Sequence, residues 1–411
     1  MRRKIKQSAF AMTGRAARLL PRRRPGEILI VETAHRSFDS LGDQAMLRGL
    51  TAEIKESTDA RVVVGSYTAD ERWLSVPGVE KVVPLRFTPR PWSYLRLARS
   101  AAGLGHGFIV GGDVIDGKYG IGPRWLAGKY LAAAGVPLTI SGFSFNAAPT
   151  EESLRFISSL PASTRFMLRD PLSAERFRQH ASRDCELVAD AAFMLRPDAA
   201  CDLAILGFVD RARSRGDCVI GLNINRHMLP SDDASRDTVV AAIRRALPSQ
   251  HAGRGLSVLF IPHDGRGTAN DAAFAHALSC QQAFEPHRWR IAPIMSAGQV
   301  KFLCGRLDLV VTGRMHLAIA SLGAGTPVLA FTYQDKFEGL FQHFGLEGVA
   351  TDVLTGAEPA ELAGFVRQGL DRRDKLRSRI RAALDRVLAL SRRNLAGVMD
   401  PTGSGARGER H

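Results

Sequence analysis

The chain predicts an α/β protein of two doubly wound, parallel-sheet, Rossmann-like domains with a cleft between them. Three observations predict it. Short apolar strands alternate with helical patterns from Glu27 to Tyr333. The alternation breaks once, at Arg196-Pro197-Asp198 and the polar stretch that follows through Gly216. And 411 residues exceed what one ordinary core organises.

The first series opens with the strand Glu27–Thr33 (EILIVET), a polar loop to Gly42 and a helix from Asp43 to Ile54. A strand at Arg61–Ser66 follows, then a variable region rich in Pro, Trp and Arg from Trp73 to Pro91. Phe108-Ile109-Val110 reads as a short buried strand running into Gly111-Gly112-Asp113. A helix over Pro123–Ala134 leads through Gly135-Val136-Pro137 into the strand Leu138–Ser141. Thr164–Leu168 is a strand, Ser173–His180 a helix and Leu187–Ala189 a further edge. The second series runs through Cys218–Ile224, Leu256–Ile261 and Ile291–Pro293 to a final βαβ unit. The expected organisation is a basic tail (1–25), an N-terminal domain (26–205), a C-terminal domain (206–358), helices packing back (359–398) and a disordered tail (399–411).

Composition bounds the function. At 45% apolar and 24% charged the chain is ordinary globular protein. The net charge of +15 sits in the tails: residues 1–25 carry nine basic residues and no acid, and from Arg367 onward twelve basic residues face five acidic ones. The centre is near neutral, so no nucleic-acid partner is expected. The tails suit a solvated surface or peripheral contact with anionic lipid. Five cysteines, scattered singly, argue against a disulfide framework and a zinc site and suit a reducing cytosol. No run approaches the roughly 18 apolar residues of a membrane span, and Thr13-Gly14-Arg15 interrupts the only signal-like start. A cytoplasmic, metal-independent protein is the expectation.

The segment Leu307–Glu338 carries the sharpest signal. Leu307, Leu309, Val310 and Val311 read as a buried strand, Thr312-Gly313 as a turn, and His316–Leu322 as a helix closed by Gly323 and Gly325, before a strand from Val328. Arg314 and His316 therefore stand at the carboxyl end of a parallel strand, where open α/β sheets bind ligands, beside the free N–H groups of a helix start. That is a site for phosphate or carboxylate. Other strand ends are polar too. Asp43 either caps its helix or serves as a base. Gly111 and Gly112 allow close backbone approach. Asp170 caps a helix while Arg169 is free to clamp an anion in bidentate fashion. His263-Asp264 forms either a site loop or plain surface, and Lys336 and Glu338 follow the last strong strand.

Taken in order, LGDQAMLRGL (41–50), FIVGGDVID (108–116), SGFSFNAAP (141–149), LRDPLSAERF (168–177), VADAAFML (188–195) and VTGRMHLAIASLGAGTPVLAFTYQDKFEGLFQHFGLE (311–347) resemble the polysaccharide pyruvyltransferase family over residues 27–350. The resemblance implies two domains similar to GT-B glycosyltransferases. It also implies transfer of the enolpyruvyl group of phosphoenolpyruvate to a glycan or lipid-linked saccharide as a pyruvate ketal, with release of phosphate and no cofactor. Two departures are visible: Phe38-Asp39-Ser40-Leu41 where the family usually has Asn before Gly-Asp, and Gly111-Gly112-Asp113 where it commonly has three glycines.

On this resemblance Arg314, Arg169, Lys336 and the helix start at His316 supply the cations and donors that a phosphate and a carboxylate require. Ketal formation needs an acid over the methylene carbon and a base near the acceptor hydroxyl. His316 is assigned as the acid or a phosphate ligand, and Asp43 as the base. A helix N-terminus disfavours imidazolium, but two substrate anions restore it. Two other readings stay open: a GT-B glycosyltransferase using a nucleotide sugar, and a catalytically silent glycan-binding homologue.

Overall fold

Parallel strands whose side chains are apolar at every position need cover on both faces, and the burial of this chain follows that rule. In the computed structural model the described residues are 26–33, 36–85, 101–112, 115, 122–225, 250–266, 271–272, 275, 288–332, 336–351 and 359–399. They fall into two compact units, one of residues 1–38, 46–194 and 388–411, the other of residues 39–45 and 195–387. The dividing line lies at Met194/Leu195, earlier than the expected 205/206.

The first unit holds β1 (Glu27–Val31), β2 (Arg61–Ser66), β3 (Val79–Pro84), β4 (Leu104–Gly112), β5 (Leu138–Phe143), β6 (Arg165–Leu168) and β7 (Glu186–Leu187). They form one parallel sheet in the order β3-β2-β1-β4-β5-β6-β7. Its helices include α1 (Leu41–Ser57), whose first turn groups with the other unit, α2 (Gly122–Ala134), α3 (Glu151–Ser158) and α4 (Pro171–His180). Phe143, Phe145, Phe166 and Phe177 pack edge to face in the core beside β5. β3 lies inside the region read as variable from Trp73 to Pro91. Its sequence, VEKVVP, is polar and only partly buried, as an edge strand permits, so no apolar run announces it.

In the second unit the strands are β8 (Cys218–Asn223), β9 (Gln250–His251), β10 (Arg254–Phe260), β11 (Trp289–Ile291), β12 (Leu309–Thr312), β13 (Val328–Phe331) and β14 (Ala350–Thr351). The order is β11-β10-β8-β12-β13-β14, parallel throughout, with β9 antiparallel to β10. Its helices include α5 (Leu203–Ser214), α6 (Ala297–Cys304), α7 (Met315–Gly323), α8 (Lys336–Gln342) and most of α9 (Pro359–Arg392). β8, β12 and β13 are buried at every position. Gly325, at φ +77°, ends the turn after α7 in a conformation that side chains resist.

The strand order reverses beside β1 in the first unit and beside β8 in the second. The β1/β4 and β8/β12 gaps are therefore the crevices that such sheets offer to ligands. The long α9 is held along the second unit by Arg377 to the carbonyls of Leu307 and Asp308 and by Arg386 to that of His343. From Leu388 it belongs to the first unit, where Ser391 donates to the carbonyl of Asp190 and Asn394 to that of Ala189. Among the described residues no helix is long and apolar enough to cross a membrane. Both tails, 1–25 and 400–411, lie outside the described residues, as does Asp113.

Candidate active site

The site forms at the β8/β12 crevice of the second unit. β12 ends at Thr312, whose hydroxyl accepts from the Arg314 backbone N–H at 2.9 Å and turns the chain into α7. Gly313 donates back to the carbonyl of Asn223, the last residue of β8, at 3.3 Å. Arg314 stands at the N-cap of α7 without a side-chain cap, so its guanidinium reaches outward instead. It meets Asp271 at 2.6 Å and Asp264 at 3.3 Å.

Asp271 ties three strand ends together. Its carboxylate accepts from the Nδ2 of Asn223 (2.9 Å) after β8, from the backbone N–H of His263 (3.0 Å) and Asp264 (3.2 Å) after β10, and from Arg314 after β12. It borders a small pocket lined by Leu222, Ile224, Phe260, Ile261 and Ala275.

A short connection brings the start of α1 to the same place. Ser40 bridges Asp264, Gly265 donates to the carbonyl of Asp39 at 3.0 Å, and Leu41 donates to that of His263 at 3.3 Å. Gly42 then lies so close to His316 that a Cβ there would overlap the imidazole. Asp43 faces Arg266 at 3.7 Å, and Arg266 pairs with Asp264 at 2.7 Å. The hydroxyl of Ser40 is placed 3.4 Å from the backbone N of Asp43 and serves the helix start, which leaves the Asp43 carboxylate turned to Arg266. Asp43, expected on the N-terminal side, thus groups with His316 in the second unit.

Electrostatics separate the titratable groups. His263 is 5% exposed, and among the described residues neither ring nitrogen has a hydrogen-bond partner. Burial, helped by the charges of His316 and Arg314 and opposed by Asp264, lowers its pKa to about 3, so it is neutral at physiological pH. For Asp264 burial alone would raise the pKa. Hydrogen bonds from Arg266 and the charges of Arg266 and Arg314 outweigh it and hold the carboxyl below the usual range.

The structure thus brings together Arg314, His316, His263 and Asp43. Glu338 lies in the first turn of α8 with one carboxylate oxygen buried and, among the described residues, without a hydrogen-bond partner. Lys336 opens the same helix, its side chain lying outside the described residues. Arg169 lies in the first unit, buried, paired with Asp190 at 2.9 Å and donating to Ser144 at 2.7 Å, while Asp170 caps α4. Gly111 and Gly112 end β4 in the first unit. At Gly111 a Cβ would collide with Phe143, so strand packing explains that glycine, whereas Gly112 adopts φ +54°. Nearby, the buried Glu32 accepts from Ser66 and from the indole of Trp73.

Three residues escaped the sequence reading. Asp271 and Asn223 carry no pattern that marks them, and Arg266 is one arginine among many. The HDG sequence before Arg266, following directly on a strand, was the only available signal.

Solved structures share this fold. A putative UDP-N-acetylglucosamine 2-epimerase from Listeria monocytogenes superposes with a TM-score of 0.63 at 13% identity, covering 95% of this chain and 100% of that one. The S. aureus MnaA–UDP co-structure gives 0.58 at 11% identity, covering 94% and 100%. The Neisseria meningitidis UDP-GlcNAc 2-epimerase bound to UDP-GlcNAc gives 0.54 at 9% identity, covering 90% and 99%. At these identities the likeness establishes the fold, two Rossmann-like domains of GT-B type. No curated protein sequence matches the chain. The family model of polysaccharide pyruvyl transferases matches residues 41–335, from the α1 turn that packs on His316 to the end of the crevice strands. The chain is therefore a transferase and belongs to the polysaccharide pyruvyl transferase family.

Proposed function

We propose that this protein transfers the enolpyruvyl group of phosphoenolpyruvate to a sugar of a cell-surface polysaccharide, or of its lipid-linked precursor, as a pyruvate ketal. The observation that supports it best is the assembly of Arg314, His316, neutral His263 and Asp43 at one crevice beside the start of α7. A small dianionic-to-trianionic donor needs guanidinium charge, backbone N–H donors and an imidazole within one such space.

In this reading Arg314 and the first N–H groups of α7 bind the donor's anionic groups, with Lys336 and Glu338 at the margin. His316 delivers a proton to the methylene carbon, which becomes a methyl group while positive charge develops at the adjacent carbon. An acceptor hydroxyl adds there and loses its proton to Asp43. A second hydroxyl then attacks the same carbon as the carbon–oxygen bond to phosphate breaks, passing its proton to the now neutral His316, so that phosphate leaves and the ketal closes. His263, neutral and buried, offers one ring N–H and one lone pair to the bound donor. The enzyme would act at the cytoplasmic face of the membrane, with its basic tails near anionic lipid.

Incubation with phosphoenolpyruvate and candidate glycans tests the reading. Acceptor-dependent phosphate release that is lost in a folded His316→Ala variant is the expected result. Tight binding of a nucleotide sugar together with indifference to phosphoenolpyruvate would eliminate it.

A further inference from the structure

Among the described residues two carboxylates, Asp271 and Asp264, hold Arg314, and they differ in how they are themselves held. Asp271 is built into the fold, because backbone N–H groups of His263 and Asp264 and the side chain of Asn223 donate to it as well as Arg314. Asp264 is not. Among the described residues its carboxylate receives hydrogen bonds only from Arg314 Nη1 (3.3 Å) and from Arg266, through Nη2 (2.7 Å), Nε (3.0 Å) and the backbone N–H (3.0 Å). It lies between two guanidinium groups, in the position that a substrate carboxylate or phosphate would take. The two arginines are also unequal. Arg314 is 13% exposed and anchored by Asp271 at 2.6 Å, whereas Arg266 is 36% exposed and its other carboxylate, Asp43, stands farther off at 3.7 Å.

We propose that Asp264 is the resident counter-anion of the donor site, bridging Arg266 and Arg314 until an anionic group of the donor takes its place. The inference rests on the donor-site reading given above. The exchange is physically reasonable because burial disfavours the Asp264 charge and the two arginines alone sustain it. An incoming dianion brings more charge to the same pair and wins. A neutral or weakly charged ligand does not, so Asp264 acts as a filter on donor charge as well as a competitor.

The test is calorimetric titration of the full-length protein with inorganic phosphate, comparing wild type, Asp264→Asn and Arg266→Gln. Asparagine keeps the shape and removes the competing charge. Asp264→Asn is expected to bind phosphate about tenfold more tightly, since a like charge has left the site. Arg266→Gln is expected to bind about tenfold more weakly. Unchanged or weaker binding in Asp264→Asn overturns the proposal, because a residue that only braces the loop would lose affinity on substitution. Should Asp264→Asn fail to fold, Arg266→Gln decides: unchanged phosphate affinity in that half-exposed variant overturns the proposal equally. Phosphate is not turned over, so the outcome is independent of transfer. A chain inactive with phosphoenolpyruvate whose Asp264→Asn variant still binds phosphate more tightly would remove the pyruvyl-transfer reading and leave the counter-anion role intact.

Discussion

Gly42→Ala should uncouple catalysis from folding. An added Cβ would lie 2.6 Å from His316 Cγ and 3.0 Å from its Cβ. Ordinary carbon contacts lie at about 3.5–4.0 Å, so the imidazole must retreat by about 1 Å. Overpacking of this kind costs about 1–3 kcal/mol. Alanine in place of glycine within a helix returns about 1 kcal/mol, and Gly42 is the second residue of α1. The net loss of stability is then about 0–2 kcal/mol, small enough for the protein to remain folded. The catalytic cost is larger: a displacement of about 1 Å at a reacting group lowers rate about 100-fold, or about 2.7 kcal/mol of transition-state stabilisation. The assay is acceptor-dependent phosphate release at saturating phosphoenolpyruvate, alongside a denaturant titration. A folded Gly42→Ala protein with the wild-type kcat would refute the reasoning, since it would mean that His316 does not need the place the glycine leaves for it.

Asp271→Ala removes the carboxylate 2.6 Å from Arg314 and takes an acceptor from Asn223 at the end of β8 and from the backbone N–H groups of His263 and Asp264 beyond β10. A loss of about 3–5 kcal/mol is expected, read as a lowered denaturant midpoint; a change below about 1 kcal/mol would show that the carboxylate is not the anchor of the strand ends. His106 supplies the pH prediction. It is buried in the first unit, bonded to Thr139 at 2.9 Å, and burial, then the charge of Arg165, lowers its pKa from 6.5 to about 4. The unfolded chain binds the proton more readily than the fold, so stability is fully present above pH 6.5 and is lost as pH falls through the window from 6.5 to about 4. The shift corresponds to about 3 kcal/mol. Denaturant midpoints measured from pH 7 to 4 should fall more steeply in wild type than in His106→Gln, and parallel curves for the two would contradict the assignment.

How much of the site was legible depended on whether a residue's role was set by its neighbours in sequence. Arg314 and His316 follow a buried strand and open a helix, and that local context alone puts them at a strand's carboxyl end. Asp170, by its place before Pro171, carries the sequence mark of a helix cap, and it caps α4. Arg169 sits beside it in an equally suggestive context, yet its partner is Asp190, across the β6–β7 edge. Nothing in the spacing of the two indicates that they pair. The strand β3 carries no such local mark, because an edge strand does not need the apolar run that distinguishes β2 and β8.

The sequence by itself determined the architecture and the family: alternating buried strands and helices demand sheets covered on both faces, and the long motif around Arg314 and His316 is a local pattern. Only the tertiary structure decided who the partners are. Asp271 and Asp264 reach Arg314 from 43 and 50 residues away, and the first turn of α1 joins His316 because a glycine permits the approach. Charge pairing depends on distance in space, which falls off within a few ångströms, whereas the patterns visible in sequence record only distance along the chain.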